Sequence, residues 1–244
     1  MNRPVIGVDE AGRGPVIGPL VVCALRVSES DRSVLRDFGA RDSKKLSPKR
    51  REEIAARIRG EAKSRDWGIG IVVCEPSRID SNSLHSDLNR LEVDLFSEAI
   101  EKSSESTIDG TIMVDSCDVD ESRFSRRIAT RLGRDWTNWK IDSRHAMDSI
   151  DPITGAASIL AKVMRDAEIK RIAEDVGFAV GSGYPSDGIT REAVRVLVSG
   201  DFPHKDLRWS WSTVSDFWLH VHGNPVPTRS EDDVAVRQTI LDDW

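Results

Sequence analysis

The chain has 244 residues, of which 31% are charged and 39% hydrophobic, a composition that excludes a disordered protein and is typical of a globular one. No apolar run is long enough to span a bilayer. The formal net charge of −6 is opposite in sign to that of most nucleic-acid binders, but the charge is unevenly distributed. One basic cluster comprises Lys44, Lys45, Lys49, Arg50 and Arg51, and a second comprises Arg123, Arg126, Arg127 and Arg131. Acidic residues collect near the C-terminus, at Glu231, Asp232, Asp233, Asp242 and Asp243.

The three cysteines are scattered and have no C-x-x-C spacing, which argues against a disulfide framework and against structural zinc. We expect Cys23 and Cys74 to be small buried hydrophobic residues. Cys117 lies near Asp115, but no histidine shares its motif, which argues against a catalytic thiol. An apolar strand begins within a few residues of the N-terminus, so we expect no signal peptide and a cytoplasmic protein.

Hydrophobic periodicity and turn residues predict alternating strands and helices along the chain. The predicted strands cover residues 4–9, 17–27, 67–74, 111–114 and 136–141. The predicted helices cover residues 30–38, 84–102, 121–132, 154–176, 191–198 and 211–219, with another that begins at Pro48 after the N-cap Ser47. The apolar stripe of the helix over 84–102 consists of Leu84, Leu88, Leu91, Leu95 and Ile100.

This order of elements predicts an α/β domain with a mixed sheet, whose first two strands form an antiparallel hairpin. Acids lie at or after three strand ends, at Asp9, Asp115 and Asp142, where open α/β sheets bind their ligands. We expect a main domain over residues 1–180, a helical extension over 181–221 and a flexible tail over 222–244, because Gly, Pro and Ser become frequent after residue 180.

The loop after the first strand carries the strongest chemical signal, because two adjacent acids, Asp9 and Glu10, precede a Gly-Arg-Gly-Pro turn. Adjacent carboxylates repel each other unless a cation lies between them, and oxygen ligands suit Mg²⁺ or Mn²⁺. A dinucleotide-binding loop is excluded, because the glycine spacing misses the G-x-G-x-x-G pattern and the loop opens into a strand. A plain hairpin turn would explain the glycines and the proline but not Arg13.

Several motifs, in order along the chain, together resemble the ribonuclease HII family, the type 2 ribonucleases H, over about residues 4–220. They are Asp-Glu-Ala-Gly-Arg-Gly-Pro from Asp9, Arg-Asp-Ser-Lys-Lys-Leu-Ser from Arg41, Val-Asp at Asp115, Ala-Ala-Ser-Ile-Leu-Ala-Lys-Val-x-Arg-Asp from Ala156, Gly-Ser-Gly-Tyr-Pro-Ser-Asp from Gly181, and Arg208, Trp211 and Thr213. The resemblance implies a ribonuclease H-like fold, a mixed five-stranded sheet flanked by helices, with a C-terminal helical extension. It also implies hydrolysis of the RNA strand of RNA–DNA hybrids and cleavage 5′ to ribonucleotides embedded in duplex DNA, leaving 5′-phosphate and 3′-hydroxyl ends.

The resemblance implies a two-metal site of Mn²⁺ or Mg²⁺ in which the catalytic and metal-ligating residues include Asp9, Glu10 and Asp115. Archaeal-type members have a fourth acid shortly before the Ala-Ala-Ser helix, and Asp148 matches it best, with Asp142 and Asp151 as the competing positions. The chain departs from the family pattern here, since Asp151 replaces an aromatic residue and Gly155 a small hydroxyl residue.

Recognition of the substrate is also implied by the resemblance. The Gly-Arg-Gly turn, Gly12, Arg13 and Gly14, would read the 2′-hydroxyl that separates RNA from DNA. Tyr184, the only tyrosine of the chain, would pack against the nucleotide at the RNA–DNA junction. The candidate phosphate contacts are Ser43, Lys44, Lys45, Ser158 and Lys162.

The tail ends in Gln-Thr-Ile-Leu-Asp-Asp-Trp, which resembles the box by which replication proteins bind the sliding clamp, PCNA. A turn of helix would present Gln238, Leu241 and Trp244 to the clamp. We expect a monomer without membrane contact. Two alternatives to the ribonuclease remain at this point: a two-metal DNA nuclease of the same fold, and a clamp-associated binding protein without catalytic activity.

Overall fold

The structure is a computed structural model that describes residues 3–40, 46–106, 109–229 and 235–236. Its strands are β1 (Pro4–Ala11), β2 (Leu20–Ser28), β3 (Gly68–Cys74), β4 (Gly110–Asp115), β5 (Trp139–Arg144), β6 (Thr228–Arg229) and β7 (Ala235–Val236). Its helices are α1 (Arg32–Asp37), α2 (Pro48–Ser64), α3 (Pro76–Ser83), α4 (Leu88–Ser103), α5 (Glu121–Leu132), α6 (Met147–Ile150), α7 (Pro152–Val176), α8 (Gly188–Leu197) and α9 (Ser212–His222).

Five strands form one mixed sheet in the order β3-β2-β1-β4-β5, which confirms the predicted fold class. The hairpin of β1 and β2 is antiparallel, with Pro4 opposite Ser28 and Ala11 opposite Val21. Strand β1 is parallel to β4, and β4 is parallel to β5. The carboxyl ends of β1, β4 and β5 therefore meet at the same edge of the sheet.

Helix starts follow the capping signals in the sequence. The Ser47 hydroxyl accepts a hydrogen bond from the Arg50 backbone N–H at 3.3 Å, and Pro48 occupies the first turn of α2, as predicted. The predicted bounds of α5 are also confirmed. Asp120 caps α5 by accepting from the Arg123 backbone N–H at 2.9 Å.

The prediction of one helix over residues 84–102 was wrong at its start. The separate helix α3, which was not predicted, precedes α4, and Pro76 opens it because proline has no N–H to lose in a first helical turn. Leu84, assigned to the apolar stripe, is 49% exposed and precedes α4. Strand β5 also begins three residues later than expected, since Trp136 lies in a short 3₁₀ turn.

The chain divides into two compact units, each built from several segments. The first contains Met1–Ala11, Val21–Val73 and Asn89–Met164, and the second contains Gly12–Leu20, Cys74–Leu88 and Arg165–Trp244. The predicted domains, divided after residues 180 and 221, are instead contiguous segments of the sequence, and that division stays a prediction.

Each unit has its own apolar core. In the first unit, β1, β2, α2 and α7 contribute Val5, Leu25, Ile54, Ile58 and Leu160, among others, and Cys23 is buried with them. Because burial disfavours a thiolate, the pKa of the Cys23 thiol is raised. Cys74 is also buried, so the expectation for both cysteines is confirmed.

In the second unit, the core is formed by residues such as Ile17, Ile172, Val194, Leu207 and Trp218. Ile17 was predicted to begin β2, but it forms an isolated bridge with Leu207 instead. Among the described residues, no helix is long and apolar enough to cross a membrane.

Gly7 offers a test of how closely α7 packs on the sheet. A Cβ atom at Gly7 would lie 2.4 Å from the Thr154 backbone nitrogen and 2.5 Å from the Ile153 carbonyl carbon. We expect Gly7→Ala to lower the free energy of unfolding by about 1–3 kcal/mol or more, because the obstacle is backbone. Gly60→Ala is the control, since Gly60 lies in α2 and a Cβ atom there would have nothing within 4 Å, and it should stabilise by about 0.5–1 kcal/mol. Equal denaturation midpoints for the two variants would contradict this packing.

Candidate functional site

The parallel pairing of β1 and β4 brings two of the predicted acids together. Val8 is paired with Val114, so Asp9 and Asp115 follow at equivalent positions at the carboxyl edge of the sheet. Asp148 comes from α6, just after β5. Carboxylate oxygens of Asp9, Asp115 and Asp148 all lie within 4.8 Å of one another.

A sharp turn between β5 and α6 sets the position of Asp148. Ala146 adopts a left-handed conformation with φ of 55°, which costs about 1 kcal/mol or more for a residue other than glycine. The next residue, Met147, donates its backbone N–H to Asp115 Oδ1 at 3.0 Å. This bond ties the start of α6 to the end of β4, and Asp148 is 4% exposed beside it.

The two competing acids have other partners in the structure. Asp142 forms a salt bridge with Arg144 at 2.8 Å. Asp151 precedes α7, where its carboxylate accepts from the backbone N–H groups of Ile153 and Thr154 at 2.9 and 3.1 Å and pairs with Arg32. Asp151 therefore caps a helix, as expected for an acid at a helix N-terminus.

Burial and neighbouring charge act together on Asp9. Burial is the main cause that raises the pKa of Asp9 well above its usual value, and the negative charges of Glu10 and Asp148 add to the rise. Lys162 and the hydroxyl of Ser158 oppose this rise. Lys162 Nζ also donates to Ser158 Oγ at 2.6 Å, and Ser158 is fully buried. These two predicted phosphate contacts thus lie against Asp9 in the structure.

Glu10 is not part of the three-acid cluster, but the charge of one member of that cluster, Asp115, acts on its pKa. Burial raises the pKa of Glu10 to about 7, and the charges of Glu92 and Asp115 add to the rise. Glu92 is a fully buried acid on α4 to which the motifs assigned no role. Glu92 lies four residues after Leu88, on the apolar face of the helix. An acid in that position is the sequence signal that could have indicated a buried carboxylate.

These side chains fit a hard divalent cation. Three carboxylates that converge within 4.8 Å, two of them buried, repel one another unless a positive charge is shared between them. Carboxylate oxygen is the ligand that Mg²⁺, Mn²⁺ and Ca²⁺ prefer. The chemistry and spacing of the donors therefore make this cluster a candidate divalent-metal site.

In the second unit, a buried arginine shapes the Gly-Arg-Gly loop. Arg208 is fully buried and donates to the backbone carbonyls of Gly12 at 2.5 Å, Arg13 at 2.8 Å and Gly18 at 3.0 Å. Burial is the main cause that lowers the pKa of Arg208 to about 10, and the charge of Arg165 adds to it. Arg208 therefore stays protonated at neutral pH. Gly12 has φ of +90°, a conformation that glycine adopts without strain.

Tyr184 lies close to Gly14 in the same unit. A Cβ atom on Gly14 would be 3.6 Å from Tyr184 Cε1, and the Tyr184 side chain is 38% exposed. The guanidinium of Arg165 lies 5.1 Å from the Tyr184 ring centroid and donates to the Ser182 carbonyl. The structure thus brings Gly14 and Tyr184 together and holds the tyrosine loop through Arg165.

Arg165 and Arg208 belong to the quoted motifs, but sequence reasoning assigned them no function. Both are buried cations, and burial of a charged side chain is not revealed by a linear pattern. Six predicted site residues lie outside the described part of the chain: Ser43, Lys44, Lys45, Gln238, Leu241 and Trp244.

Comparison with known proteins gives a consistent result. The family model for ribonuclease HII matches residues 6–214. A ribonuclease HII from Methanocella arvoryzae is 44% identical over 214 residues, which cover 86% of this chain and 89% of the relative. The ribonuclease H2 of Pyrococcus horikoshii is similar in structure, with a TM-score of 0.77, 36% identity and coverage of 91% of this chain and 100% of that one.

A second solved structure is described as the complex of PCNA with ribonuclease HII from Archaeoglobus fulgidus. It is similar to this chain with a TM-score of 0.73 and 34% identity, and covers 98% of this chain and 100% of its own.

The raised pKa of Glu10 predicts how stability of the metal-free protein depends on pH. The Glu10 pKa is about 7 in the folded state against an ordinary 4.5, so between these values the folded state binds a proton that the unfolded state lacks. Stability should therefore fall as pH rises from about 4.5 to 7, by at most about 3 kcal/mol from this group. Thermal unfolding in EDTA across this range measures the effect.

Glu10→Gln is the matched control for this titration, because the amide keeps the shape and removes the ionisable group. Its stability should change less with pH than that of the wild type over the same range. Identical pH profiles for the two proteins would contradict the assignment of the effect to Glu10.

Proposed function

Because the chain belongs to the ribonuclease HII family, we propose that it is an endonuclease that acts on RNA joined to or paired with DNA. It hydrolyses the RNA strand of RNA–DNA hybrids. We infer further that it cleaves 5′ to ribonucleotides embedded in duplex DNA and leaves 5′-phosphate and 3′-hydroxyl ends. The convergence of Asp9, Asp115 and Asp148 within 4.8 Å is the observation that carries the proposal.

In this proposal, Asp9, Glu10, Asp115 and Asp148 hold divalent cations, with Mn²⁺ and Mg²⁺ as the candidates. Such ions supply activation of a water molecule and stabilisation of the leaving 3′-oxygen in phosphodiester hydrolysis. Neighbouring groups of the chain position and charge the carboxylates that would bind these ions. Met147 N–H holds the carboxylate of Asp115, and Ser158 together with Lys162 favours the ionised form of Asp9.

Discrimination between RNA and DNA is assigned to the loop that follows Glu10 in the chain. Gly12, Arg13 and Gly14 would approach the ribose and bind its 2′-hydroxyl, which is the only group that marks a single ribonucleotide in duplex DNA. The three hydrogen bonds from Arg208 support this role, since a reader of one hydroxyl must be rigid. Tyr184, exposed beside Gly14, would stack on the nucleotide at the junction.

Ser43, Lys44 and Lys45 are proposed to bind substrate phosphates, as are Ser158 and Lys162 once substrate is bound.

The three-part division of the chain at residues 180 and 221 remains part of this proposal, as does a monomeric, cytoplasmic enzyme. The alternatives, a DNA nuclease of the same fold and a binding protein without catalysis, are not favoured by membership of the family.

Binding to the sliding clamp is proposed for the C-terminal tail through Gln238, Leu241 and Trp244. The similarity to the ribonuclease HII of the Archaeoglobus fulgidus PCNA complex over 98% of this chain supports clamp association. A short helical turn with one polar and two apolar anchors is a common mode of groove binding.

The metal site is tested with a duplex that contains one ribonucleotide and with Mg²⁺ or Mn²⁺. Asp115→Asn and Asp148→Asn should each reduce kcat/KM by about 100-fold or more, because each removes one anionic ligand. Asp142→Asn is the control and should retain activity, since Asp142 pairs with Arg144 at 2.8 Å outside the cluster. An all-DNA duplex should not be cleaved. Full activity of Asp115→Asn, or no activity of the wild type, would overturn the function.

The tail is tested in the full-length chain by Leu241→Ala combined with Trp244→Ala. We expect binding to the cognate sliding clamp to be lost, because the two apolar anchors are removed, while hydrolysis without the clamp is unchanged. Titration calorimetry measures the binding and the cleavage assay provides the control. Clamp binding by the double variant at wild-type affinity would refute the assignment to the tail.

A further inference from the structure

An arginine-lined groove of about 780 Å³ lies in the first unit, lined by residues of α4 and α5. Five arginines line it: Arg90 from α4, and Arg123, Arg126, Arg127 and Arg131 from α5. Asp94 is the one carboxylate among its lining residues. The basic cluster noted in the sequence over residues 123–131 is therefore concentrated on one concave surface, although the whole chain has a net charge of −6.

Helix periodicity explains why these arginines share a face. Residues 123, 126, 127 and 131 recur at spacings of three and four along α5, which places them on the same side of the helix. From residue 123 to residue 131 the helix rises about 12 Å. That length corresponds to three or four nucleotides of one strand, at about 3.4 Å each.

Buried and half-buried acids hold part of this arginine row in place. Asp118 is fully buried and accepts from Arg123 Nε at 2.9 Å, with Arg127 at 3.6 Å. Arg131 pairs with Asp94 at 2.9 Å. Arg126 is exposed and, among the described residues, has no carboxylate within the 4.0 Å of an ion pair. Fixed guanidinium groups lose little freedom on binding, and their planar donors match phosphate oxygens.

The groove is connected to the elements that carry the three-acid cluster. Asp118 follows Asp115 by three residues. Glu121, at the start of α5, accepts from the backbone N–H of His145 at 2.7 Å, and His145 precedes Asp148 by three residues. The groove and the three-acid cluster therefore belong to the same unit and are joined by short segments of chain.

We propose that this groove binds the phosphate backbone of the substrate duplex beyond the cleavage site. The inference rests on the proposed function, because it takes the substrate to be a duplex with one cleavable position. Charge complementarity carries it: five arginines line the groove against two carboxylates, Asp94 at its surface and the buried Asp118 beneath it, and the substrate is a regular polyanion. The contact is with the backbone, so it adds affinity without sequence preference.

The test compares a long duplex that carries one central ribonucleotide with a short duplex that extends only a few base pairs from it. We expect Arg126→Glu to raise KM for the long duplex about five- to tenfold at about 0.1 M salt and to leave kcat unchanged. The slope of log(1/KM) against log[salt] should decrease in magnitude by about 1. With the short duplex, the variant and the wild type should have the same KM.

Two controls separate charge from folding. Arg126→Lys keeps the charge and should retain most of the affinity, and Arg36→Ala removes an exposed arginine of α1 that does not line the groove and should have no effect. Unfolding temperatures of all variants report on the fold. If Arg126→Glu is unstable, Arg131→Gln replaces it, with the same expected dependence on duplex length.

Three outcomes would overturn the proposal. One is an unchanged KM for the long duplex, and another is an equal change for both duplexes. The third is that Arg126→Glu no longer raises KM once Glu231, Asp232 and Asp233 are replaced by their amides in the full chain. That result would mean that the groove binds the acidic tail and not the duplex. Cleavage of the short duplex by the wild type shows separately that the proposed function holds.

Discussion

Mutual repulsion of carboxylates at one edge of the sheet is the constraint around which the first unit is arranged. Because β1 and β4 are parallel neighbours with Val8 opposite Val114, their chain directions bring Asp9 and Asp115 to the same place. The surrounding residues reduce the cost of that convergence. Lys162 and Ser158 oppose the rise in the pKa of Asp9, and the N–H of Met147 binds Asp115 at 3.0 Å. The remaining excess of negative charge suits a divalent cation.

The second unit depends on a buried positive charge. Arg208 donates to three backbone carbonyls of the segment from Gly12 to Gly18, and burying a guanidinium costs free energy unless its donors are satisfied. Arg165 is another buried cation and holds the loop that carries Tyr184. Arginine side chains therefore help to fix both loops proposed to contact the nucleotide, together with backbone hydrogen bonds such as that from the Val16 N–H to the Gly183 carbonyl at 2.8 Å. These bonds explain how segments rich in glycine keep one conformation.

Local signals predicted the parts of the fold that depend on neighbours in the sequence. The cap at Ser47, the bounds of α5 and the antiparallel hairpin all follow from capping, periodicity and turn residues. Predictions were wrong where tertiary contacts decided the outcome. Ile17 has the composition of a strand residue but pairs with Leu207, nearly 200 residues away. Helix α3 was not predicted either, although here the reason is local, since a proline that follows a strand also suits the first turn of a helix.

The sequence by itself determined the family, the mixed α/β fold and the residue types of the candidate site, because these are recorded in short motifs with fixed order. It left the partner of Asp9 and Asp115 open among three acids. Only the tertiary structure decided that Asp148 lies with them, while Asp142 pairs with Arg144 and Asp151 caps α7. The physical reason is that the turn at Ala146 and the parallel order of β1, β4 and β5 set these distances. Neither the handedness of one turn nor the pairing of distant strands is encoded in residue spacing.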